Sequence, residues 1–180
     1  MNRIFAVAAL CLTVTACAPG RATFSPASDP KLASQGWVEA HPVLSFNPSR
    51  HFTKSLVCKD PSCGGLGFVV AADEALPSNL AANYRLLMAN PKLTDAKLLT
   101  AMQVTAATTP SLVAVNGQVV NVHKASGALN ATLTCNKSFP TLGQLHCVAR
   151  LVMTSDRVFI RLGGGPTPGK ALERLRMAGG

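Results

Sequence analysis

Acidic residues are scarce in this chain. Eight Asp and Glu stand against 17 Lys and Arg, a formal net charge of +9 over 180 residues. Five of the acids, Asp60, Asp73, Glu74, Asp95 and Asp156, fall at predicted turns or helix starts, where carboxylates have structural roles. No carboxylate pair is suited to glycoside hydrolysis. The four histidines, His41, His51, His123 and His146, form no short-range metal motif such as H-E-x-x-H, and no G-x-S-x-G elbow occurs. Aromatic residues make up only 5 % of the chain, and the single Trp, Trp37, reads as a core anchor. The longest apolar run, Ile4 to Val14, is too short to cross a hydrocarbon layer of roughly 30 Å as a helix. No cofactor and no metal follow from these residues.

What is present at the start of the chain is more specific. Arg3 supplies a positive charge, the apolar run follows, and the small residues Thr15 and Ala16 precede Cys17. Val14-Thr15-Ala16-Cys17 resembles the lipobox of bacterial lipoproteins, with Val14 where Leu is usual. The resemblance implies that residues 1–16 are a cleaved signal peptide and that the Cys17 thiol carries a diacylglycerol and becomes the mature N-terminus. Several acyl chains, at about 0.8 kcal/mol per buried CH₂, then hold the protein in a membrane without a transmembrane helix. By the same resemblance to lipoproteins, whose sorting retains those with Asp after the Cys in the inner membrane, Ala18 implies the outer membrane, with the domain facing the periplasm. Plain secretion is the alternative.

Export changes the reading of charge and of cysteine. Without Arg3 the mature chain keeps 16 basic and 8 acidic residues, 16 − 8 = +8. A basic balance ordinarily suggests nucleic acid, which the cell envelope does not offer; anionic lipid or an acidic polymer takes its place. The basic residues are scattered along the sequence, as on a solvated surface. Once Cys11 leaves with the signal and Cys17 is lipidated, Cys58, Cys63, Cys135 and Cys147 remain, an even number in an oxidising compartment. They allow three pairings. Cys58–Cys63 and Cys135–Cys147 are favoured, because a hairpin centred near residue 141 sets 135 opposite 147. A zinc site using Cys58 and Cys63 is the rival.

Residues 18–35 are rich in Ala, Pro and Ser and read as a flexible linker, reaching about 25 Å as a random coil. The segment 36–46 holds a first strand, and His51–Cys58 with Gly67–Ala72 form a hairpin around a Cys-closed turn. Leu76, Leu80, Tyr84 and Leu87 recur at helical spacing, with Asp73 and Glu74 at the N-terminal end. Asn90-Pro91 stops that helix. Thr94 and Asp95 start another, carrying Leu98, Leu99 and Met102 to about Gln103. From Ser111 the period becomes two. Asn116-Gly117 predicts a tight hairpin, and the alternation through residues 129–135, 145–153 and 157–162 completes a meander of about five antiparallel strands. Lys170–Met177 closes as a helix with Leu172 and Leu175 inward. The expectation is an α+β fold: this meander plus an N-terminal hairpin, with helices packed on the sheet, in one domain spanning 36–180. The element order resembles that of PsbP-like domains, which occur in exported and lipid-anchored proteins.

One motif invites a nucleotide. Residues 164–170, GGPTPGK, fit the start of a phosphate-binding P-loop. Ala171 stands where the Mg²⁺-binding Ser or Thr belongs, and Pro166 and Pro168 remove backbone donors, so a Gly/Pro connector is expected instead. Together these readings describe a tethered, non-enzymatic envelope lipoprotein that binds another envelope protein or an acidic polymer. A carrier of a small or lipidic ligand is the alternative. An envelope enzyme would need two or more of His123, His146, Asp156 and Arg150 to converge in one cleft.

Overall fold

A computed structural model of the chain describes residues 23–41, 50–58, 60–76, 78–108, 117–139 and 143–179. The signal segment and Cys17 lie outside these residues. Eight strands form one antiparallel sheet: β1 Thr23–Pro26, β2 Trp37–His41, β3 Arg50–Cys58, β4 Gly67–Ala75, β5 Gln118–Ala125, β6 Ala128–Phe139, β7 Gly143–Met153 and β8 Arg157–Gly165. Their spatial order is β1-β2-β3-β4-β8-β7-β6-β5. Among the described residues four helices complete the α+β fold: α1 Pro30–Ser34, α2 Ser78–Ala89, α3 Asp95–Thr108 and α4 Pro168–Met177. The N-terminal hairpin and the meander are thus one sheet, joined where β4 pairs with β8 along its full length.

Alternation, broken by register shifts between Phe52 and Lys54 and between Val119 and Asn121, gives the sheet two different faces. One carries Val70, Leu129, Leu133, Leu151, Ile160 and Leu162, which pack with Leu80, Tyr84, Leu98 and Met102 of α2 and α3 as the main core. Lys124 of β5 donates to the carbonyls of Leu87 and Asn90, placing a cation at the C-terminal end of α2, where the helix dipole is negative. Gln103 of α3 pairs with the edge strand through Gly117 O at 3.2 Å and Val119 N at 2.7 Å. The polar edge of β5 is thereby partly occupied.

The opposite face holds a smaller core of Ala27, Trp37, Leu56, Cys58, Val69 and Ala178, with α4 laid across β4, β7 and β8. Glycine makes this docking possible. A Cβ on Gly163 would run into Ala171 O and Leu175 N of α4. Gly163 and Gly165 therefore serve close helix–strand packing, while Gly164 leaves room for the Phe68 ring.

Several sequence expectations need correction. Residues 23–35, assigned to the linker, carry β1 and α1; β1 pairs with β2 from Thr23↔His41 to Pro26↔Val38. Asp29 caps α1 by accepting from Lys31 N at 2.8 Å. Pairing with an adjacent strand outweighs a linker-like composition. Asp73 and Glu74 do not open a helix but end β4, because β3 and β8 hydrogen-bond it from both sides as far as Glu74. The second helix runs to Thr108, beyond Gln103. Leu172, expected to point inward, is 43 % exposed. The sheet has eight strands, more than the five-stranded meander with its hairpin. The strand predicted over 112–115 and its turn at Asn116 lie outside the described residues; within them β5 pairs only with β6.

Candidate functional site

Both favoured cysteine pairs are joined. Cys58 and Cys63 are bridged with Cα atoms 6.0 Å apart. Cys135 and Cys147 stand directly opposite on β6 and β7, Cα atoms 4.9 Å apart, and are bridged as well. The zinc alternative loses its thiolates, and among the described residues no three His, Cys, Asp or Glu come together to hold a metal ion. The first disulfide closes a short 3₁₀ turn, Pro61–Cys63. Asp60 accepts from Ser62 N at 2.8 Å there, and this bond holds its carboxyl below the usual carboxylate range.

That turn is organised by a residue the sequence reading missed. Arg174 of α4 is 1 % exposed. Its guanidinium donates to four carbonyls: Gly164 at 2.7 Å, Gly65 at 2.8 Å, and Leu66 and Cys63 at 3.0 Å each. It also lies 5.3 Å from the centre of the Trp37 ring, within cation–π range. Burial lowers its pKa, opposed by neighbouring Glu173. Glu173 itself pairs with Lys170 at 2.8 Å. Gly67 and Gly165 leave the space this side chain fills. Both terminal nitrogens are spent on the protein's own backbone, so Arg174 is a clamp between helix, sheet and disulfide loop.

The P-loop-like residues do not form a phosphate cradle. Gly164 and Gly165 belong to β8, and Thr167 caps α4 by accepting from Lys170 N at 3.2 Å. The antiparallel strand before the helix leads into a docking turn.

Among the described residues, the half of the sheet that α4 leaves uncovered is open. Alternation places Asn121 and His123 of β5, Asn130 and Thr132 of β6, Arg150 and Val152 of β7, and Phe159 and Arg161 of β8 on one face. Thr132 sits opposite Arg150, and Arg150 opposite Arg161. In the next row Asn130 sits opposite Val152, and Val152 opposite Phe159. Arg150 and His123 are exposed; Asn130, Thr132, Phe159 and Arg161 are half-buried. Asp73 on β4 binds Arg157 at 2.9 Å through Oδ2, while its Oδ1 is buried with no partner.

Of the residues an enzyme would need together, His123, His146 and Arg150 share this face without converging. His146 is four residues from Arg150 along β7, about 13 Å at the strand rise. His123 is two strands away from Arg150. Asp156 sits in the β7–β8 turn, where it accepts from Thr154 Oγ1 at 3.1 Å. The side chains of His41 and His51 are outside the described residues. No described helix is long and apolar enough to cross a membrane. The chain matches no protein-family model and no curated protein sequence.

Proposed function

We propose that this protein is a lipid-anchored module of the bacterial cell envelope, tethered by Cys17, and that it works by binding rather than catalysis. The observation that carries the reading is the Val14-Thr15-Ala16-Cys17 sequence after an apolar run too short to span a bilayer. Two stapled cysteine pairs suit an oxidising compartment. The anchor is closer than composition suggests. Only residues 18–22 separate Cys17 from β1, a span of roughly 20 Å even when fully extended. The domain is thereby held near the head groups of the outer membrane, facing the periplasm. Its partner is another envelope protein or an acidic polymer.

The test is metabolic labelling with an alkyne fatty acid, followed by cell fractionation. The full chain is expected to take up label and sediment with outer membranes. Cys17→Ser is expected to lose the label and leave the membrane. Unlabelled wild type, or a C17S protein that stays labelled and membrane-bound, would sink the anchoring reading.

A further inference from the structure

Among the described residues the open sheet face holds two arginines, Arg150 and Arg161, that no carboxylate meets. Arg150 stands directly opposite Arg161, at a separation where like charges repel. Among the described residues the Arg161 guanidinium donates only to the carbonyls of Ile160 at 3.0 Å and Ala72 at 3.4 Å. The Arg150 guanidinium has no hydrogen-bond or ion-pair partner among the described residues. Asp73, one row along the sheet, is engaged by Arg157. Two adjacent guanidinium forks with free donors suit a carboxylate, which they can hold bidentately.

The surroundings narrow the ligand. Thr132 shares the row of Arg150, and Asn130 lies in the row beside it; amide and hydroxyl groups both donate and accept, as a polyol requires. Phe159, half-buried in the row of Asn130 and Val152, offers apolar surface against which the C–H face of a sugar ring can lie. A bare polyanion would use the arginines and leave the rest idle. We propose that this face binds an acidic polysaccharide, with Arg150 and Arg161 taking uronate-type carboxylates and Asn130 and Thr132 taking hydroxyls. The inference deepens the acidic-polymer reading above and chooses it over a protein partner.

The test measures binding of the full-length chain in detergent micelles to immobilised polygalacturonate, with dextran as the neutral glycan and polyphosphate as the non-sugar polyanion. Polygalacturonate is expected to bind and dextran not. The pair Arg150→Gln, Arg161→Gln is expected to weaken binding about tenfold or more, with little change in the thermal midpoint, since relief of a repulsive pair offsets loss of the Arg161 bonds to the Ile160 and Ala72 carbonyls. Arg176→Gln, an exposed charge on α4, serves as the control and should change little. Asn130→Ala with Thr132→Val is expected to weaken polygalacturonate and leave polyphosphate unchanged. Absence of polygalacturonate binding, full binding by the arginine pair variant, or equal loss of both polyanions in the Asn130/Thr132 variant would overturn the proposal. Micelles make the tether unnecessary. Binding retained by Cys17→Ser, together with a failed labelling test, would therefore remove the anchor and leave this inference standing.

Discussion

A buried guanidinium without a carboxylate is costly unless its donors are met, and Arg174 meets this demand with four carbonyls from two places in the chain. Three of those carbonyls, on Cys63, Gly65 and Leu66, lie 108 to 111 residues away in sequence. That separation is why the residue is invisible to sequence reading: Arg174 looks like one more basic position on a polar helix. The cysteines are legible because their chemistry is specific, whereas an arginine is equally at home on a surface. Arg174→Met is expected to leave carbonyls of the disulfide turn without donors, lowering stability by about 3 kcal/mol or more. Arg174→Lys should recover only part of this, because an ammonium cannot reproduce the planar fork. Urea unfolding of the two variants checks both statements; a lysine variant as stable as wild type would show that charge alone suffices.

Secondary-structure elements were legible where their own pattern agreed with their surroundings. Strands β6 to β8 alternate cleanly, and the register places Cys135 opposite Cys147 as their arithmetic required. The α2 face of Leu80 and Tyr84 is buried as its spacing predicts. Failures came where a neighbour decided. β1 is four residues long and exists through its pairing with β2, and the end of β4 is held by strands on both sides. The two disulfides differ in the same respect. Cys135–Cys147 ties two long strands already paired along their length, while Cys58–Cys63 shapes the turn that Arg174 reads. By chain entropy alone each bridge contributes about 2–3 kcal/mol. The prediction concerns coupling. Removing Cys58–Cys63 by paired Ser substitution and adding Arg174→Met should cost clearly less than the sum of the two, because both act on one loop. The same cycle with Cys135–Cys147, on the other face of the sheet, should be additive within about 0.5 kcal/mol. Equal coupling in both cycles would show that Arg174 does not act through the disulfide turn.

At the scale of the whole molecule, the fold class was legible but the joining of its parts was not. A hairpin and a meander separated by two helices can form two sheets or one, and no local pattern says that β4 and β8 pair. The consequence is a sheet whose centre is made by the most distant segments: β4 and β8 are each flanked by two strands and crossed by α4. Its margins are β1, four residues long, and β5, whose register shifts between Val119 and Asn121. Local opening therefore should proceed from the margins inward, since amides with few buried neighbours exchange through small fluctuations and those at the centre through global unfolding. Native-state hydrogen exchange is expected to rank β4 and β8 slowest, β3 and β7 next, and β1 fastest, with Arg174→Met accelerating the 60–66 turn more than β6. The glycan face spans β5 to β8, so its floor runs from this rigid centre to a yielding edge. Bound polygalacturonate should slow exchange in β7 and β8 little, because they are already protected, and in β5 and β6 more. Uniform exchange across all eight strands would mean that the sheet opens only as a unit, and the division into centre and margin would fall.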